Sequence, residues 1–125
     1  MSREIEFENR LLRFSTQVIE LSKNIKETNI SRPIINQLVR SATSVGANYI
    51  EANNASSKKD FKNKIFICKK EGSETKYWLK LLQNIEDEHK IEIEKIWSEC
   101  NELCLIFHKI VHTMNQKDKI DKFEK

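Results

Sequence analysis

A chain of 125 residues with a net charge of +3 holds only two glycines and one proline, too few turn formers for an all-β domain. Its 38% hydrophobic and 33% charged residues, rich in Lys, Glu, Leu and Ile, suit long amphipathic helices in one domain. No apolar run approaches the ~20 residues of a membrane span, and the opening MSREIEFENR lacks the apolar stretch of a secretion signal, so a cytoplasmic protein without a membrane partner is expected.

The spacing predicts four helices, over about residues 4–27, 32–54, 58–88 and 91–117. In the first, apolar side chains recur at Phe7, Leu11, Phe14, Val18, Leu21 and Ile25. A break follows at Asn29–Pro33, where Ser31 is expected as the cap and Pro33 sits in the first turn. The second helix carries Ile35, Leu38, Ala42, Val45, Tyr49 and Ala52, and ends in the polar run Asn53–Ser57. Ser57 and Asp60 have capping-box spacing and open the third helix, whose stripe is Phe61, Ile65, Cys68, Gly72, Thr75, Leu79 and Leu82. The polar stretch Glu86–Lys90 separates it from the fourth, with Ile93, Ile96, Cys100, Leu103, Phe107, Ile110 and Met114. From about Lys117 the charged tail is expected to fray.

Steps of three and four keep each stripe on one helix face, so the expected fold is all-α, an antiparallel up-down-up-down four-helix bundle forming a single domain over 1–125. Cys68, Cys100 and Cys104 read as reduced core thiols. On the third helix Ile67, Trp78 and Leu81 fall roughly opposite the core stripe, with Phe66 and Tyr77 on a flank. So much apolar surface outside one stripe points to self-association.

The stretch RSATSVGANYIEA, Arg40 to Ala52, has the small residues of a phosphate loop but only one glycine, no preceding strand and no Gly-Lys-Ser/Thr. It is instead helical surface. Arg40, Ser44, Ala47 and Glu51 share one face, and the two charges, ~16 Å apart along a helix, are too distant to pair with each other. A small-residue face bracketed by opposite charges suits a second contact surface, the charges finding partners across it.

Lys58, Lys62, Lys69, Lys76 and Lys80 lie in a narrow strip ~33 Å long on the third helix, with Lys59 and Lys70 to one side. Such a strip suits a phosphate backbone, each contact releasing counterions. Lysine rows also border bundle cores and solubilise them. The series Cys100, Cys104, His108, His112 has metal-ligand residue types, but steps of four drift around the helix, so one ion cannot meet all four. Glu86 and His89 match half of a di-iron motif whose other half is absent, and Glu71 and Glu74 have no histidine beside them in sequence. No nucleophile stands with a base, and no metal, cofactor or catalytic residue is expected.

The segments RSATSVGANYIEANNASSKKDF and KKEGSETKYWLKLL resemble the small four-helix-bundle proteins encoded in intervening sequences of bacterial large-subunit ribosomal RNA genes. The matching positions are Arg40, Ser41, Ser44, Asn48 and Glu51, then Ser57, Asp60, Phe61, Lys64, Lys70, Glu71, Glu74, Tyr77, Trp78 and Leu79. Many relatives carry Gly where this chain has Ala52, and Ala where it has Gly72. The resemblance implies a homopentamer of bundles. It also relates the chain to accessory proteins of diversity-generating retroelements, which bind nucleic acid and a reverse transcriptase through a basic surface.

Together these readings give a non-enzymatic homo-oligomer that binds RNA or DNA, most plausibly structured or ribosomal RNA. Lys58, Lys59, Lys62, Lys69, Lys76 and Lys80 are its expected nucleic-acid contacts; Arg40, Ser44, Ala47, Asn48, Glu51 and Trp78 its expected subunit interface. The alternative is a scaffold or accessory subunit holding a protein partner such as a reverse transcriptase.

Overall fold

The computed structural model of the chain describes residues 2–124, with side chains to residue 120. It is all-α, with four helices: α1 (Arg3–Asn24), α2 (Ser31–Asn53), α3 (Lys58–Ile85) and α4 (Lys90–Glu124). The helix ends follow from local chemistry. At the start of α1 the Ser2 hydroxyl accepts the Ile5 N–H at 3.2 Å, while Glu4 and Glu6 in the first turn and Lys23 in the last complement the helix dipole. Ile25 then turns extended, which ends α1 before the expected residue 27 and returns its own side chain to the core.

Ser31 is not the cap of α2. Thr28 and Ser31 form a reciprocal box instead: the Thr28 hydroxyl accepts the Ser31 N–H at 3.0 Å, and the Ser31 hydroxyl accepts the Thr28 N–H at 2.9 Å. The Ser31 hydroxyl also donates to the Lys26 carbonyl at 2.8 Å, which buries it. Pro33 lies in the first turn, where its missing N–H costs nothing. Ser57 caps α3, its hydroxyl accepting the Asp60 N–H at 3.0 Å.

Helix α3 stops at Ile85 rather than near 88, because the Glu86 backbone extends and its carboxylate turns onto His89. Helix α4 continues to Glu124, past the expected fraying point. Its last turns are built from Lys, Gln, Asp and Ile rather than breakers, and Lys62 of α3 reaches along the groove to Asp118 at 3.1 Å.

Each helix packs on its sequence neighbours and α4 closes on α1, which leaves α1 and α3, and α2 and α4, diagonal to one another. Contacting residues run in opposite order along each pair. Between α2 and α3, Arg40 meets Glu74, Cys68 Sγ meets the Val45 carbonyl, and Glu51 meets Lys64. Between α3 and α4, Lys76 meets Asn101 and Lys80 meets Glu94.

The stripes read from spacing supply the core. Leu11, Phe14, Val18, Leu21, Leu38, Val45, Ile65, Leu79, Leu82, Ile93, Leu103 and Phe107 are all under 2% exposed. Each such large side chain contributes roughly 1.5–3 kcal/mol relative to an exposed one. Phe7, Tyr49 and Phe107 close one end, Phe7 edge-on to Tyr49 at 4.8 Å and tilted on Phe107 at 5.5 Å. Two polar groups are also buried in the α2–α3 seam: the Ser41 and Thr75 hydroxyls meet at 2.9 Å, each also against a carbonyl of its own helix. Among the described residues no helix is long and apolar enough to cross a membrane.

Candidate nucleic-acid interface and subunit face

Helix α3 carries eight lysines against three acids, Asp60, Glu71 and Glu74. Its buried stripe turns toward the other helices, so the lysines divide between its two flanks and its outer surface. The flank toward α4 holds the strip Lys58, Lys62, Lys69, Lys76 and Lys80, and α4 answers much of it. Lys62 pairs with Asp118 and Lys80 with Glu94 at 3.6 Å, while Lys76 donates to Asn101 at 3.1 Å. The Lys80 ammonium also lies 4.7 Å from the centroid of the Trp97 ring, with that of Lys76 at 5.8 Å. These three lysines cover the α3–α4 seam with their stems as well as presenting charge.

Lys58, Lys59, Lys69 and Lys70 make no ion pair among the described residues. The middle of the strip, at Lys69, thus lies between the Lys62–Asp118 and Lys76–Asn101 contacts without an acid of its own among the described residues. At its N-terminal end the strip borders a cleft of about 550 Å³ formed by Lys58, Lys59, Lys62 and Lys117 around Phe61 and Asp118. Net positive charge therefore concentrates at the α3 start and along its exposed side rather than evenly over the strip.

On the α2 side, Arg40 and Glu51 find their partners within the chain. Arg40 spans two carboxylates of α3, Glu71 at 2.9 Å and Glu74 at 2.6 Å, and Glu51 meets Lys64 at 3.4 Å. Each charge is expected to need a partner off its own helix, and folding α2 back on α3 brings such partners within the chain. The Arg40 hydrogen bond holds the Glu74 carboxyl below the ordinary carboxylate range, helped by the Trp78 indole N–H at 3.2 Å. Trp78 is half-buried against the core, not opposite it, and Leu81 is also half-buried. Ser44 and Asn48 turn back onto their own helix, bonding the Arg40 and Ser44 carbonyls, and are half-buried. Ala47 is exposed. The result is a low, continuous α2–α3 face of small side chains, edged by internally balanced charge.

The α1–α4 seam has its own lock, which the spacing of apolar residues did not disclose. Arg10 grips Glu99 through both carboxylate oxygens, at 2.9 and 2.6 Å, and touches Glu102 at 3.1 Å. The guanidinium hydrogen bond pulls the half-buried Glu99 carboxyl down in pKa. The outward side of α1 exposes Ile5, Leu12 and Ile19, one per two turns, a second apolar line absent from the sequence reading. Its signal was the seven-residue spacing.

The candidate metal ligands resolve into structural roles. Cys68, Cys100 and Cys104 are buried free thiols, whereas His108 and His112 are exposed. Burial pushes the Cys68 thiol up to about 12. The neighbouring Cys104 thiol and burial push the Cys100 thiol up as well, and its Sγ donates to the Gly72 carbonyl at 3.4 Å. Cys104 Sγ packs into the notch left by Gly72, where an added Cβ would lie 2.7 Å from it. Glu86, Glu88 and His89 place ligand atoms within 4.8 Å of one another. Glu86, however, already accepts the His89 N–H at 2.9 Å and meets His89 Nδ1 at 2.7 Å, a turn-stabilising arrangement.

No curated protein sequence matches the chain. Among solved structures it is similar to a protein of unknown function from the S23 ribosomal protein family of Bacteroides thetaiotaomicron. That likeness has 34% identity and a TM-score of 0.74, over 83% of this chain and 96% of the other. The 23S rRNA-intervening sequence protein family matches residues 3–109, which takes in all of α1, α2 and α3 and α4 as far as Lys109. This chain belongs to the 23S rRNA-intervening sequence protein family.

Proposed function

We propose that the chain is a non-enzymatic, cytoplasmic subunit of a homo-oligomeric ring that binds structured or ribosomal RNA electrostatically through α3. The observation that carries this reading is the charge of α3: eight lysines face three acids, and two of those acids are taken by Arg40. The exposed Lys58, Lys59 and Lys70 and the half-buried Lys69 supply the phosphate contacts, with Lys62, Lys76 and Lys80 contributing what α4 leaves unneutralised.

Within the ring each protomer is an up-down-up-down bundle. The α2–α3 face around Arg40, Ser44, Ala47, Asn48, Glu51 and Trp78 meets the Ile5–Leu12–Ile19 line of a neighbour. Two different faces of one chain make a heterologous contact, the kind that forms a ring when the rotation between neighbours closes. The family resemblance supports five subunits.

Light scattering combined with fluorescence anisotropy on a ribosomal RNA fragment, at two salt concentrations, tests the reading. Affinity should fall steeply with salt. The triple substitution Lys58→Glu, Lys59→Glu, Lys69→Glu should reduce the log–log salt slope by about 2–3 while the oligomer persists. Unchanged RNA retention in that variant, or a monomeric wild type, refutes it. The alternative, a scaffold for a protein partner, draws support from the apolar α1 line. It is favoured if a partner survives nuclease treatment of the captured complex.

A further inference from the structure

The outer surface of α3 has a composition that electrostatic binding alone does not require. Lys59, Asn63, Phe66, Lys70, Ser73 and Tyr77 follow one another at steps of four, three, four, three and four, and all six are exposed. They form one straight row. Phe66 is 56% exposed and Tyr77 60%, which is unusual for rings that gain most by burial. The row contains no acid: Asp60 lies at the helix start, while Glu71 and Glu74 turn to Arg40 on the other side. Lys70 sits between the rings and Lys59 precedes them, neither with an ion-pair partner among the described residues.

A protein-binding helix face would place apolar residues on consecutive turns and would be poor in lysine, the residue most depleted from interface centres. Here the two rings are separated by Lys70 and Ser73, with Lys59 and Asn63 before the first. Flat rings alternating with unpaired ammonium groups and amides complement a different surface, one that offers π-faces and phosphates in turn. Eleven residues of helix separate Phe66 from Tyr77, ~16 Å, or roughly five stacked bases at ~3.4 Å each.

We propose that this α3 row is a stacking platform for single-stranded nucleic acid. Unpaired bases lie on Phe66 and Tyr77, Lys59 and Lys70 bind the intervening phosphates, and Asn63 and Ser73 hydrogen-bond the backbone. The inference rests on the nucleic-acid reading above and narrows it. The preferred ligand is the unpaired segment of a structured RNA, because a duplex hides its base faces.

The test compares binding of a single-stranded RNA of roughly 15 nucleotides, a single-stranded DNA of the same sequence and the matching RNA duplex. Wild type is set against Phe66→Leu and Tyr77→Leu, which keep the site apolar but remove the rings, and against Lys59→Gln/Lys70→Gln. Light scattering accompanies each variant. Single strands of both kinds should bind more tightly than duplex, and each Leu variant should weaken single-strand binding roughly tenfold without changing its salt slope. The Gln pair should lower that slope by about 1–2.

Three results overturn the proposal. Equal affinity for single strand and duplex, untouched by either Leu variant, leaves the electrostatic reading standing and removes the platform. A smaller oligomer in the Leu variants makes the row a subunit contact. No binding of any of the three nucleic acids removes both readings.

Discussion

Gly72 and Gly46 are both helical glycines, and the structure assigns their substitution to alanine opposite outcomes. In a helix interior Gly→Ala is worth about 0.8–1.0 kcal/mol from backbone entropy alone. At Gly46 a new Cβ would sit 3.5 Å from the Leu11 Cβ and 3.9 Å from the Ser15 hydroxyl, ordinary contact. Gly46→Ala should therefore stabilise by nearly the full amount. At Gly72 the Cβ would lie 2.7 Å from Cys104 Sγ. Cys104 has one side-chain torsion to give, and its side chain is buried in the core. Overpacking of this kind costs about 1–3 kcal/mol, so the net effect of Gly72→Ala is a loss of up to about 2 kcal/mol.

Cys104→Ala removes the obstacle at a cost of about 1 kcal/mol for the lost sulfur contacts. In the double variant the alanine methyl fills part of that space, and stability should return close to wild type. The double-mutant cycle should give a coupling of at least about 1 kcal/mol. Urea unfolding at one fixed protein concentration for all variants reads it. If Gly72→Ala stabilises as Gly46→Ala does, or its effect is the same with and without Cys104, the packing argument fails.

Arg40→Lys should cost about 0.5–1 kcal/mol in the same assay, because an ammonium cannot span Glu71 and Glu74 as the guanidinium fork does. Acid should unfold the α1–α4 seam early. Arg10 lowers the Glu99 pKa in the folded state, so its stabilising contribution is present above the unfolded value of about 4.3 and is lost as pH falls through the lower folded value. Glu99→Gln should flatten that part of the stability–pH curve, and a curve of unchanged slope would remove the argument. At the α3–α4 turn the sign reverses. The Glu86 hydrogen bond raises the His89 pKa, so its contribution is full below about 6.5 and fades as pH rises through the folded value. NMR titration of His89 should show an upward-shifted midpoint that Glu86→Gln returns to normal.

The sequence by itself determined the helices and their buried faces, because apolar residues at three-four spacing have one way to hide from water. It also located the lysines on α3. It did not foresee that Thr28 and Ser31 share the cap of α2, or that α4 runs on to Glu124, since capping reciprocity and the Lys62–Asp118 tie depend on which groups come within reach. Charge partners were the larger gap. Spacing along one helix showed that Arg40 and Glu51 could not pair with each other, but not what they or the lysine strip would meet. Tertiary packing gave Arg40 two carboxylates of α3 and Lys62 and Lys80 carboxylates of α4. Burial is a property of a helix face and is written in its periodicity. Pairing is decided at the seams between helices, where packing sets residues far apart in sequence a few ångströms from one another.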